Sequence, residues 1–107
     1  MNAASVDRNP WTVRNGDRPP ALEIALLKNT LVLSWNQFVF AEGGDDEIRI
    51  AFASHDVVVR GTGLTALLQA ITANQVSSIR EPTRSERFPA QGARFVREIE
   101  VRRVDGD

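Results

Sequence analysis

Between Glu47 and Ile79 the hydrophobic period switches twice, and each switch falls on residues that favour turns. Ile48, Ile50 and Phe52 alternate with Arg49 and Ala51; Ser54, His55 and Asp56 interrupt; Val57 to Val59 resume as an extended run. Successive strand side chains point to opposite faces, so a period of two that stops at polar residues and restarts predicts a β-hairpin. After Gly61, Thr62 and Gly63 the apolar positions become Leu64, Leu67, Leu68 and Ile71, which fall on one face of a helix. This spacing predicts a helix at 64–73, with Thr62 as its N-cap and Asn74 closing its other end. So short a helix is marginal in water, which means its leucine face must pack on a sheet. Val76 to Ile79 then reads as a further strand.

The flanks extend the same pattern. Leu22 to Leu27 and Thr30 to Trp35 read as two strands joined by a tight turn at Lys28-Asn29, Asn29 being tolerant of the left-handed backbone such turns use. Leu31, Leu33 and Trp35 share one parity, but Phe38 and Phe40 sit on the other. A one-residue slip flips the buried face, so a bulge is expected at Asn36-Gln37. The alternative, a strand buried on both sides, would leave two adjacent amides to be satisfied inside the core. Glu42-Gly43-Gly44-Asp45-Asp46 is a turn by composition. Phe95 to Val104 reads as a last strand, and its Arg97, Glu98, Glu100, Arg102 and Arg103 mark it as an edge whose charges discourage stray pairing.

Two segments resist an assignment to strand or helix. Asn9-Pro10, Asn15-Gly16 and Pro19-Pro20 punctuate residues 1–20 so densely that a polar, extended or disordered arm is expected there. Trp11 is its one large apolar residue, either pinning the arm onto the domain or anchoring a partner. Residues 80–94 carry Pro82, Pro89 and Gly92 among many charges, the composition of a long loop, and loops of that length are often functional. The expected fold is therefore α+β: a single domain over 21–107, with a small antiparallel, meander-like sheet of about five or six strands packed against one short helix at 64–73.

Composition narrows the chemistry. At 107 residues the chain is long enough to bury roughly 60–70% of its unfolded surface without a metal or disulfide. It has no cysteine and one histidine, which removes thiolate zinc sites, thiol nucleophiles and any multi-histidine centre built within one chain. The charged amino terminus has no apolar run, and the stretch from Ala21 to Ala41 is broken by Glu23, Lys28, Asn29, Asn36 and Gln37, so neither a signal peptide nor a spanning helix is expected. A cytoplasmic protein with no membrane partner is the expectation. All basic residues except Lys28 are arginines, which suit bidentate contacts to phosphate or carboxylate; the same skew, alongside many Ala, Val and Gly, also arises in a GC-rich genome.

Three motifs could carry chemistry. His55-Asp56 is the one pair that resembles acid–base machinery, but neighbours in a hairpin turn diverge, and no nucleophile motif accompanies them. Gly43-Gly44-Asp45-Asp46-Glu47 offers oxygen ligands for calcium without the alternating spacing of a calcium loop. Gly61-Thr62-Gly63 before a helix resembles a phosphate cradle, yet it lacks the third glycine of a dinucleotide fingerprint and the Gly-Lys-Ser/Thr of a P-loop. Each is more simply a turn, so no catalytic residue, metal or cofactor is expected.

The favoured function is a non-enzymatic interaction or regulatory module, self-associating as a homo-oligomer or binding a protein partner through the last strand and the 80–94 loop. Trp11, Arg84, Arg87, Phe88, Arg94 and Arg97 are the candidate contact residues. A nucleic-acid-binding module using the arginines of 80–103 is the alternative, blunted by four glutamates in the same stretch. An enzyme centred on His55 comes third.

Overall fold

The computed structural model describes residues 10–83 and 95–104. In chain order the elements are β1 (Trp11–Val13), β2 (Ala21–Ala25), β3 (Thr30–Ser34), a single 3-10 turn (Trp35–Gln37), β4 (Phe38–Gly43), β5 (Glu47–Phe52), β6 (His55–Thr62), α1 (Thr65–Thr72), β7 (Val76–Arg80) and β8 (Phe95–Arg103). The strands form two four-stranded sheets, ordered β1-β7-β2-β3 and β4-β5-β6-β8. Among the described residues the class is α+β-like with one helix, as expected, but eight strands in two sheets replace the expected single sheet of five or six.

The first sheet departs furthest from a meander. β7 returns from the helix to lie between β1 and β2, antiparallel to the first and parallel to the second. Local periodicity reports hairpins between neighbours in sequence and is blind to a strand inserted from far along the chain. In the second sheet β4, β5 and β6 do form a meander, and β8 adds antiparallel to β6.

The phase slip after Trp35 has a different cause from the expected bulge. Ser34 accepts a hydrogen bond from the Asn36 amide at 3.1 Å, the chain makes one 3-10 turn, and β4 starts in the other sheet. The bulge of this region lies one step later: Phe38 faces Phe52 and Phe40 faces Ala51, leaving Val39 as the extra residue. Trp35 secures the change of sheet. Its indole N–H donates to the Val76 carbonyl at 3.0 Å, and its ring packs against Phe38 and Phe52 with centroids 5.4 and 5.5 Å away.

One core joins the parts. Leu22, Ile24 and Ile79 from the first sheet, Ile48, Ile50, Val57 and Val59 from the second, and Leu64 and Leu67 beside and within the helix are all fully buried in one cluster. The predicted helical face therefore points inward, with Leu68 partly buried. α1 contacts β4 of one sheet and β7 of the other, so it bridges the two sheets and does not cover a single one.

The helix ends differ from each other. Thr62 belongs to β6, and the N-cap position is Leu64, with no side-chain cap. At the other end Asn74 has φ 60°, its amide donates to Ile71 and the Gln75 amide to Ala70, the paired bonds of a left-handed helix stop. The β5–β6 turn is also shorter than expected: His55 and Asp56 are already in β6. The β2–β3 turn closes with the Leu26 amide donating to the Asn29 carbonyl at 2.9 Å, and Asn29 does not use positive φ there.

Candidate interaction surface

Strand register brings the charges of the second sheet onto its outer face. Glu42 faces Arg49, Glu47 faces Arg60, Arg60 faces Glu98, and Asp56 faces Arg102. Arg60 is the hub, reaching Glu98 at 2.6 Å, Glu47 at 3.1 Å and Glu100 at 3.2 Å. Its hydrogen bonds with Glu98, then Glu47, then Glu100 raise its pKa further. Arg102 bonds Glu100 at 2.7 Å, and the bonds from Arg102 and then Arg60 hold the Glu100 carboxyl below the usual glutamate range. Arg49 bonds Asp56 at 3.0 Å and lies 5.2 Å over the Phe40 ring. Acids and arginines on this face are thus spent on one another. Exposed pairs of this kind contribute little to stability.

β8 is an edge strand, as its charge pattern predicts. Arg60 faces Glu98 and Gly61 faces Val96, so Arg97 is the extra residue of a β-bulge and is exposed. Gly61 makes that bulge possible: a Cβ there would overlap the Phe95 carbonyl oxygen. Of the other candidate contacts, Trp11 sits in β1 opposite Ile79 and is only 7% exposed, within the core cluster. Arg84, Arg87, Phe88 and Arg94 lie outside the described residues.

Two of the motifs turn out to be partners. The Gly61 amide donates to the Asp46 carbonyl at 2.9 Å, the Leu64 amide to the Asp45 carbonyl at 3.0 Å, and the Gly63 amide to the Asp45 carboxylate at 3.2 Å. One amide of the glycine turn, that of Gly63, does meet an anion, and the anion is Asp45 of the acidic turn between β4 and β5. The third motif separates in space. Asp56 pairs with Arg49 on the outer face, while the His55 ring nitrogen Nδ1 lies 2.7 Å from the Ser54 hydroxyl. Among the described residues no group of three or more His, Asp or Glu side chains converges as metal ligands, and no helix is long and apolar enough to cross a membrane.

The outer face of the first sheet has a different character. Register places Thr12, Ser78, Glu23 and Val32 in one row across it, with Ala21, Ala25, Thr30 and Ser34 around them. Its open edge is β3, whose five residues, Thr-Leu-Val-Leu-Ser, pair with β2 in unbroken register and carry no charge. The Trp35 amide donates to the Pro20 carbonyl and the Leu26 amide to the Asn29 carbonyl, which fixes the hydrogen-bond phase of the ladder. Alternation from those two bonds turns the N–H and C=O groups of Leu31 and Leu33 toward β2, and those of Thr30, Val32 and Ser34 toward the open side. No described residue pairs with them there, and Val32 is 60% exposed.

The other three edges are guarded. β1 is three residues long and irregular against β7, β4 is bulged at Val39 and carries Glu42, and β8 has its charges and the Arg97 bulge. Charges, bulges and shortness are the usual devices that keep an edge from recruiting another strand. β3 has none of them. Sequence reasoning passed over Thr30, Val32 and Ser34 because it sought an interaction site among charges, whereas the available signal was a strand without any. The chain has no significant match among protein-family models, curated proteins or solved structures.

Proposed function

We propose that this chain is a non-enzymatic protein-interaction module that takes an extended segment along an open sheet edge. The observation that carries the reading is β3: uncharged, unbulged, in regular register, and presenting the backbone groups of Thr30, Val32 and Ser34 outward. Backbone hydrogen bonds to an added strand supply affinity in this mode, and alternate side chains supply selectivity. The side of the molecule that charge alone would nominate, β8, has its glutamates and Arg102 engaged within the second sheet. The Arg49 bond to Asp56 argues against acid–base chemistry at His55.

The test is fluorescence anisotropy with a labelled Thr-Val-Thr-Val-Thr peptide, titrated with the wild-type chain and with Val32→Pro. Because the Val32 N–H faces outward, proline there removes no bond within the sheet, and edge strands tolerate it. Saturable binding by the wild type that is lost in Val32→Pro is the expected result. Binding by neither protein would refute the reading, as would equal binding by both.

A further inference from the structure

We infer that the natural occupant of the β3 edge is β3 of a second copy of this chain, running antiparallel about a two-fold axis through Val32. The inference rests on the open-edge reading above and goes beyond it by naming the partner and the register. In that register Val32 meets Val32 of the partner subunit, Thr30 meets the partner's Ser34, and Leu31 meets the partner's Leu33. Thr30, Val32 and Ser34 all have their backbone groups on the open side, so the three facing pairs fall together on the hydrogen-bonding phase, for roughly six bonds across the seam. A closed two-fold contact requires a surface that complements itself, and this strand does so by position and by chemistry.

The side chains agree with the backbone. On the outer face a β-branched pair at Val32 is flanked by two Thr–Ser pairs, both favourable cross-strand neighbours. On the inner face Leu31, half-buried in the single chain, gains the partner's Leu33 and continues the apolar layer of the first sheet across the seam. No like charges meet. Glu23 lies one strand back beside Val32, so the two copies of Glu23 would stand about 14 Å apart, beyond a Debye length in physiological salt. The same edge-to-edge test fails for β8, where a two-fold pair would set its Glu and Arg residues in competition with bonds they already make.

Disulfide trapping tests both partner and register, and the chain offers a clean background because it has no cysteine. Facing residues in a hydrogen-bonded antiparallel pair have Cα atoms about 5.5 Å apart, within disulfide reach. Val32→Cys is therefore expected to form a covalent dimer under mild oxidant at least about tenfold faster than Thr30→Cys or Ser34→Cys alone, whose own copies would be offset by about 13 Å along the strand. Mixing Thr30→Cys with Ser34→Cys should restore linking at about half the Val32→Cys rate, because about half of the pairs in an equal mixture carry facing cysteines. Light scattering across about 0.01–1 mM, the range for a small, transient contact, should show the wild type moving toward twice 11.8 kDa and Val32→Lys staying at the monomer mass.

Equal linking at all three positions, or none at any, would overturn the two-fold register. A wild-type chain that stays monomeric while still binding the Thr-Val-Thr-Val-Thr peptide would refute self-pairing and leave the edge reading standing. Failure of both would remove both. Val32→Lys changes an exposed side chain, and retained amide dispersion in its NMR spectrum separates lost pairing from lost folding.

Discussion

The two sheets share a core but meet solvent in opposite ways. The second sheet covers its outer face with an arginine–glutamate lattice and ends in a bulged, charged strand; the first shows a row of Thr, Ser, Glu and Val and ends in a strand with no charge at all. Their strands differ in length as well, three to five residues in the first sheet against six to nine in the second, while the interiors of both are aliphatic. An edge that must stay single is protected, and an edge left regular and neutral is available to another strand.

Variants can separate what the sheets share from what each keeps to itself. Leu67→Ala removes a fully buried side chain from the helix that touches both sheets, and should cost about 2–5 kcal/mol in denaturant unfolding. One cooperative transition is expected; loosening confined to one sheet would mean they are separate units. Gly61→Ala strikes the second sheet alone, since the added methyl overlaps the Phe95 carbonyl of β8. A cost of about 1–3 kcal/mol is expected, with hydrogen-exchange protection lost in β8 and kept in β2. Asp45→Ala deprives the Gly63 amide of its carboxylate and should cost about 0.5–1 kcal/mol, read from the midpoint of urea unfolding.

The smallest effect sharpens the comparison on its electrostatic side. Because Arg102 and Arg60 hold the folded Glu100 carboxyl below the usual range, its contribution is complete above the ordinary glutamate value of about 4.3 and is lost as pH falls through the lower folded value. Glu100→Gln should therefore flatten the acid limb of the stability profile below about pH 4.3. Thermal unfolding at stepped pH reads this directly, and an unchanged acid limb would mean the lattice is not formed in solution.

Local features of this chain were legible in its residues, and long-range ones were not. The helix at Thr65–Thr72, its Asn74 stop, the β2–β3 hairpin and the charged edge β8 all follow from spacing along a few consecutive residues. The slip after Trp35 was visible too, but a bulge and a change of sheet produce the same reversal of parity in a sequence. Insertion of β7 between β1 and β2 leaves no local trace. The same limit hid the candidate site: Thr30 to Ser34 could be read as a strand, yet whether it has one neighbour or two depends on where every other strand goes. It also hid the capture of Asp45 by the Gly63 amide, which joins two motifs that look like separate sites when read apart.

The availability of β3, and not β8, as an edge can be read residue by residue in amide hydrogen exchange followed from about 0.01 to 1 mM protein. The amides of Thr30, Val32 and Ser34 are expected to gain protection as concentration rises while those of β8 do not change. Protection growing along β8 instead, or at neither edge, would overturn the assignment of β3 as the open edge.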